Sequence, residues 1–204
     1  MKYKIDIQDL LPVNKKGSKN NASADILFEK QDEADEYFER LSKNLLKIND
    51  WKVNAGKNPT VFFIYNKDNQ KRHELVEEND LVKIKMPAPK NKLGNGFDWV
   101  IVTQLKIIEK PDLKVFLLQM KPHICPENIN GGVAHFYTED ATNTFILSKR
   151  NKTIQLSVHG RNEIPNTKKV GFLNACRNFF VAGGGIFGGS KMQWQDFAEE
   201  FIKN

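Results

Sequence analysis

Two alternating apolar patterns flank Asn151 and Lys152, and they constrain the fold more than any other stretch of the chain. Phe145 and Leu147 share one face of a strand that ends near Arg150; Ile154, Leu156 and Val158 share one face of the strand that follows. With Asn151 and Lys152 as the turn, Leu147 meets Leu156 and Phe145 meets Val158. A slip of one residue would set Leu147 against Gln155 and send the apolar set to the opposite face, so burial selects the first register. That register puts Thr144 opposite His159, with Ser157 and Gln155 on the same second face. This polar face either meets solvent or lines a pocket.

The rest of the chain extends the sheet. Apolar or alternating runs at 61–65, 81–86, 98–108 and 113–121 read as strands. The last two are joined through Lys110, Pro111 and Asp112, with Pro111 in the second position of a turn. No helix-period segment separates these strands, so the sheet is expected to be antiparallel. Before them, Ala34, Tyr37, Phe38, Leu41, Leu45 and Ile48 recur at helical spacing, and the acids at 32–36 favour a helix start near Asp32 and an end near Asn49. Residues 12–23 are rich in Asn, Lys, Gly and Ser and read as a loop. The expected organisation is therefore an N-terminal strand and flexible linker over 1–23, then a single α+β domain over 24–204.

At the C-terminal end, Asn166 or Thr167 can cap a helix carrying Val170, Leu173, Cys176, Phe179 and Phe180. Glycines 183–185 stop it. Ser190 with Gln193 forms a capping box for a second helix that carries Trp194, Phe197 and Phe201 on one face. The expected fold class is α+β: an antiparallel sheet of about seven strands, with an N-terminal helix and a C-terminal helical pair packed on one face. In element order, residues 24–204 resemble the helix-grip, START-like architecture. That resemblance is one of layout and implies a curved sheet wrapping a C-terminal helix around an apolar cavity.

Composition excludes several classes. A chain of 204 residues, 40% hydrophobic and 27% charged, can build a core without disulfides or a metal. Cys125 and Cys176 belong to no CxxC or Cys/His spacing, and reduced thiols in a cytoplasmic protein account for them. The alternating N-terminus has no signal-peptide core, and no run approaches the ~18 apolar residues that span a bilayer, so no membrane partner is expected. The net charge is +6, yet among 31 basic residues only Arg40, Arg72, Arg150, Arg161 and Arg177 are arginine. Lysines scattered among acids give a solvated surface rather than a nucleic-acid one.

The chemistry-bearing residues concentrate at 158–166, where His159, Arg161, Asn162, Glu163 and Asn166 lie between a strand and an expected helix start. Such a junction can gather side chains on a ligand. It also reads as a turn in which Arg161 pairs with Glu163 or with backbone carbonyls. The four histidines form no HxH, HxxxH or HExxH spacing, so neither metal nor cofactor is implied, although His135 and His159 sit on expected strands that could approach one another. The glycines at 183–188 match GxGxxG only formally, because a helix precedes them and no strand follows. Fourteen phenylalanines, with Trp99 and Trp194, point to binding of a small, partly apolar ligand. The expected ligand-binding residues are His159, Arg161, Glu163, His135 and Trp99. An alternative is an enzyme using His159, Arg161 and Glu163, with His159 as acid–base and Arg161 as anion clamp. Another is a pocketless interaction protein whose helices serve a partner or a homodimer.

Overall fold

Strand pairing follows the alternation. The computed structural model describes residues 3–51, 60–86, 89–167 and 190–204; of residues 190–193 it describes the backbone only. The strands are β1 (Ser18–Leu27), β2 (Val61–Tyr65), β3 (Lys71–Arg72), β4 (Leu81–Lys85), β5 (Asp98–Lys110), β6 (Leu113–Pro122), β7 (Thr142–Arg150) and β8 (Thr153–Glu163). They form one antiparallel sheet of eight strands in the order β1-β8-β7-β6-β5-β4-β2-β3. The β7–β8 register is the expected one: Leu147 faces Leu156, Phe145 faces Val158 and Thr144 faces His159. Asn151 turns the chain with φ of 51°, a left-handed conformation that asparagine tolerates better than most residues. Lys110 pairs with Leu113 across Pro111 and Asp112, as the sequence predicts.

Two helices cover one face. The first, α1 (Gln31–Leu46), buries Ala34, Phe38, Leu41 and Leu45, and a short 3-10 turn (Ile48–Asp50) continues the line with buried Ile48. The helix thus stops three residues before the expected end at Asn49. The second, α2 (Ser190–Phe201), contributes Phe197, Ala198 and Phe201 to the same core as Val82, Val102, Leu118, Phe145 and Leu156. Lys149 on β7 is buried and ion-paired with Asp35 on α1, and the Tyr37 hydroxyl donates to the carbonyl of Ile202 at 3.0 Å, tying α1 to the C-terminus. The helix expected between Asn166 and the glycines at 183–185 lies outside the described residues, as do the side chains of the Ser190–Gln193 capping box.

The N-terminal expectations need correction. Residues 18–23, read as loop, form the first half of edge strand β1, and residues 3–7, read as a strand, are irregular. The Asn, Ser and Lys content of β1 disguised it. Its backbone pairs with β8 while small Ala22 and Ala24 face the core, so pairing rather than apolar side chains makes it a strand. Gln195 of α2 reinforces it by accepting from the Ser23 N–H at 3.2 Å and donating to the Ser23 carbonyl at 2.9 Å, an amide occupying part of the open sheet edge.

The sheet's second face is also covered, by the chain's own first residues. Ile5 and Ile7 pack on Leu113, Val115, Leu117 and Ile146. The Gln155 carbonyl oxygen accepts from the backbone N–H groups of Lys4 and Ile5, at 2.8 and 3.2 Å. Thr144, Gln155, Ser157 and His159, expected to meet solvent or line a pocket, are instead all buried at 1% exposure or less. A strip of polar residues can be buried this way because each finds hydrogen-bond partners in the layer above or beside it.

A candidate ligand cavity and the groups around it

Strand β8 runs on through Glu163, so the cluster at 159–163 is not a strand-to-helix junction as the sequence suggests but the end of a central strand. Within it the register against β1 slips: Asn20 pairs with Gly160, but Ser18 pairs with Glu163. One extra residue on β8 is accommodated by Asn162 at φ 54°. A bulge of this kind reverses the alternation beyond it. His159 and Arg161 therefore point to the face covered by the N-terminal segment, while Glu163 points to the helix-covered face. The expected cluster is divided by the sheet.

His159 is fully buried, with its ring edge-on to Tyr3 at 5.7 Å. Its ring nitrogens lie 2.9 Å from Asn21 Oδ1 and 3.0 Å from Ser157 Oγ. Burial, aided by the neighbouring Arg161 charge, pushes the imidazole down to about 3, so it is neutral at physiological pH. Arg161 donates through Nε to the Pro12 carbonyl at 2.9 Å and through Nη1 to the carbonyls of Asn20 and Gly160 at 2.9 and 2.7 Å. Asn162 completes the anchorage: its side-chain oxygen accepts from the Lys15 N–H at 2.8 Å, and its own N–H donates to Asn14 Oδ1 at 2.8 Å. These groups fasten residues 12–16 to β8. They sit away from any cavity.

Glu163 stands on the other face. The Asn20 side-chain amide donates to its Oε1, and the Ser18 hydroxyl lies 3.4 Å from Oε2. Both Glu163 and Asn20 lie over Gly160, where a Cβ would collide with their side chains. Burial is the largest influence on Glu163 and pushes its carboxyl up to about 7, against weaker opposing effects of Ser18, Arg161 and Tyr137. His135 is 7% exposed and lies in an irregular loop rather than on the strand expected for it. Its Nδ1 accepts the Tyr137 N–H at 3.0 Å, which leaves the proton of the neutral ring on Nε2, and its ring stacks on Phe136 at 4.1 Å. Asn166 holds this loop against the end of β8 by donating to the carbonyls of Val133 and His135 at 3.0 and 3.1 Å.

Glu163 and His135 converge on a cavity of about 110 Å³ between the sheet and α2. Its apolar wall includes Phe62, Val100, Met120, Phe136 and Trp194; Tyr137 and Asn143 join His135 and Glu163 on its polar side, and Thr142 borders it. Thr142 Oγ1 and Asn143 Oδ1 are buried without a hydrogen-bond partner. Trp99 is not among the lining residues. It is buried with Leu81, Cys125 and Ala134, lies 5.5 Å from the Tyr65 ring, and donates from Nε1 to the Gly94 carbonyl at 3.4 Å. Of the five expected binding residues, the structure brings His135 and Glu163 to the cavity and leaves His159, Arg161 and Trp99 elsewhere.

The expectation missed Thr142, Asn143 and Tyr137. For Asn143 a signal existed: it is two residues before Phe145 and four before Leu147, so period 2 already places an amide on the core face. No group of three or more His, Cys, Asp or Glu suited to a metal occurs among the described residues. Nor is any helix among them long and apolar enough to cross a membrane.

No family model matches the sequence, and no curated protein matches it significantly. The solved structures that match it include two of low identity. A hypothetical protein from Helicobacter pylori shares 11% identity at a TM-score of 0.40, over 90% of this chain and 88% of that one. A protein from Arthrobacter aurescens shares 13% identity at a TM-score of 0.35, over 90% of this chain and 86% of that one. Likeness at this level carries no functional inference.

Proposed function

We propose that the protein binds a small, partly apolar molecule in the cavity between the sheet and α2, with His135, Asn143 and Glu163 orienting its polar end. The observation that carries this reading is the cavity lining itself: a mostly aromatic and aliphatic wall with a few polar groups gathered on one side. The residues along its walls lack packing partners on that side, and the unpartnered oxygen of Asn143 adds a desolvation cost. A ligand with an apolar body and a polar end offsets both. The layout supports the helix-grip reading as well: first strand β1 pairs with last strand β8, α1 intervenes after β1, and the C-terminal helix shares the cavity face. The free, buried thiol of Cys125 suits a cytoplasmic setting.

The test is mass spectrometry of the protein purified under native conditions, beside a Val100→Phe variant whose added ring fills the cavity. A small molecule that accompanies the native protein and is absent from the folded variant is the expected result. A molecule retained equally by both would place binding elsewhere and overturn the reading.

A further inference from the structure

We infer that the polar end of the ligand is a hydrogen-bond-donating ammonium, so that the cavity is a site for a small primary amine recognised by Glu163 and Asn143. This rests on the proposed cavity and specifies its ligand class. The unfilled capacity on the polar side is that of acceptors. Asn143 Oδ1 is buried with no donor opposite it. The Glu163 carboxyl receives the Asn20 amide on Oε1, a long contact from Ser18 on Oε2 and a hydrogen bond from Tyr137, three donors on a group with capacity for about four. A carboxylate ligand would meet these acceptors with further acceptors. An alcohol brings one hydrogen; an ammonium brings three and a charge opposite to that of ionised Glu163.

The aromatic residues Trp194, Phe136 and Phe62 in the wall are compatible with the same head group, since aromatic rings attract cations. The competing cations are committed elsewhere or weak here. Arg161 is spent on three carbonyls across the sheet and influences Glu163 less than burial does. Lys121 also lines the cavity, and its charge acts on Asp140, which is itself ion-paired with Lys16 at 2.5 Å. His135 accepts the Tyr137 N–H on Nδ1. The size limits the occupant: about 110 Å³ admits a chain of a few carbons or one small ring.

Ammonium binding carries a proton balance. Glu163 is pushed up to about 7, so near neutrality part of the population holds a proton on the carboxyl. Seating an ammonium favours the carboxylate, and that proton leaves to solvent; no covalent bond changes. Binding near neutrality should therefore release a fraction of a proton per amine. The other groups around Glu163 are Asn20 and Ser18 of β1, Tyr137, the charge of Arg161 from across the sheet, and His135 and Lys121, which line the same cavity. None of them is a carboxylate that could take the proton instead.

The experiment compares n-butylamine, 1-butanol and butyrate on the full-length protein at millimolar concentrations. It follows NMR shifts of the Trp194 indole and, by calorimetry in two buffers of different ionisation heat, proton release. Expected are binding of the amine at least tenfold tighter than of the alcohol, no binding of butyrate, and proton release with the amine alone. In Glu163→Gln the amine's advantage should vanish while butanol binding persists; Asn143→Leu provides the same comparison should the first variant fold poorly. Alcohol binding as tightly as amine, without proton release, would overturn the amine assignment and leave the cavity reading intact. Butyrate binding tightest would overturn it by reversing its polarity. If none of the three shifts the indole, both the assignment and the proposed cavity fall.

Discussion

Arg161→Ala tests whether the most conspicuous cation of the 158–166 stretch holds the fold together or holds a ligand. The guanidinium is 5% exposed and makes three bonds to the carbonyls of Pro12, Asn20 and Gly160. Hydrogen bonds from a charged donor contribute about 1.5–3 kcal/mol each, and a buried acceptor left without a donor costs about 1–3 kcal/mol. Full additivity would overstate the loss. The Pro12 carbonyl lies near the surface, where water can replace the donor, and removing a buried charge recovers its desolvation penalty, which burial already expresses by lowering the Arg161 pKa. A net loss of about 2–4 kcal/mol remains, which for a chain of this size lowers Tm by roughly 5–15 °C. Urea and thermal unfolding, with mass spectrometry of any co-purifying molecule, read both consequences on one variant. Arg161→Lys should recover only part of the loss, since a single ammonium cannot span carbonyls from three chain segments. An alanine variant that melts within 2 °C of the native protein but no longer carries a ligand would refute the assignment of Arg161 to anchorage.

Three further outcomes are expected. Because the folded-state pKa of His159 falls to about 3 from 6.5, stability should drop as pH falls below 6.5; because that of Glu163 rises to about 7 from 4.5, stability should drop as pH rises above 4.5. The two slopes oppose each other between 4.5 and 6.5, giving a flat optimum in the native protein, and Glu163→Gln should replace it with a steady rise up to pH 6.5; a flat urea-midpoint profile in that variant would contradict the sign. Gly160→Ala should cost about 1–3 kcal/mol, since its Cβ strikes the Asn20 and Glu163 side chains, and a normal melting curve would show that they move aside freely. Deleting residues 1–11 removes the cover of Ile5 and Ile7 and orphans the Gln155 amide, so dye-detected apolar exposure and a loss of roughly 3 kcal/mol or more are expected; an unchanged midpoint would show that the segment adds nothing to the fold.

What the sequence made legible follows from how locally each feature is determined. The β7–β8 register was readable because two strands with apolar alternation and a two-residue turn admit one burial-compatible pairing. The helix at Gln31–Leu46 was readable because its stripe and its acidic first turn agree. Strand β1 was not, because its strand character comes from backbone pairing with β8, a partner some 140 residues away, and its side chains carry no alternation strong enough to announce it. The covering of the second face by residues 3–11 was hidden for the same reason. Gln155, Ser157 and His159 look like a solvent face until a distant segment supplies their partners.

The candidate site turned on one residue of slippage. Strict alternation along β8 puts His159, Arg161 and Glu163 on one side, and that is how a compact cluster appears in the sequence. The bulge at Asn162 breaks the series after Arg161, so a single strand serves two purposes on two faces. On one face its His159 and Arg161 fasten the N-terminal segment through neutral and carbonyl partners; on the other its Glu163 ends a cavity wall. The division also explains the opposite protonation of the two titratable groups. Each is buried away from water, and burial disfavours charge on either, holding the imidazole neutral by lowering its pKa and keeping the carboxyl partly protonated by raising its own. His159 lies beneath the N-terminal segment, whereas the carboxyl raised toward neutrality borders the cavity beside the unpartnered Asn143 oxygen. The titratable strand residue that reaches the cavity is thus the one the bulge delivers to it.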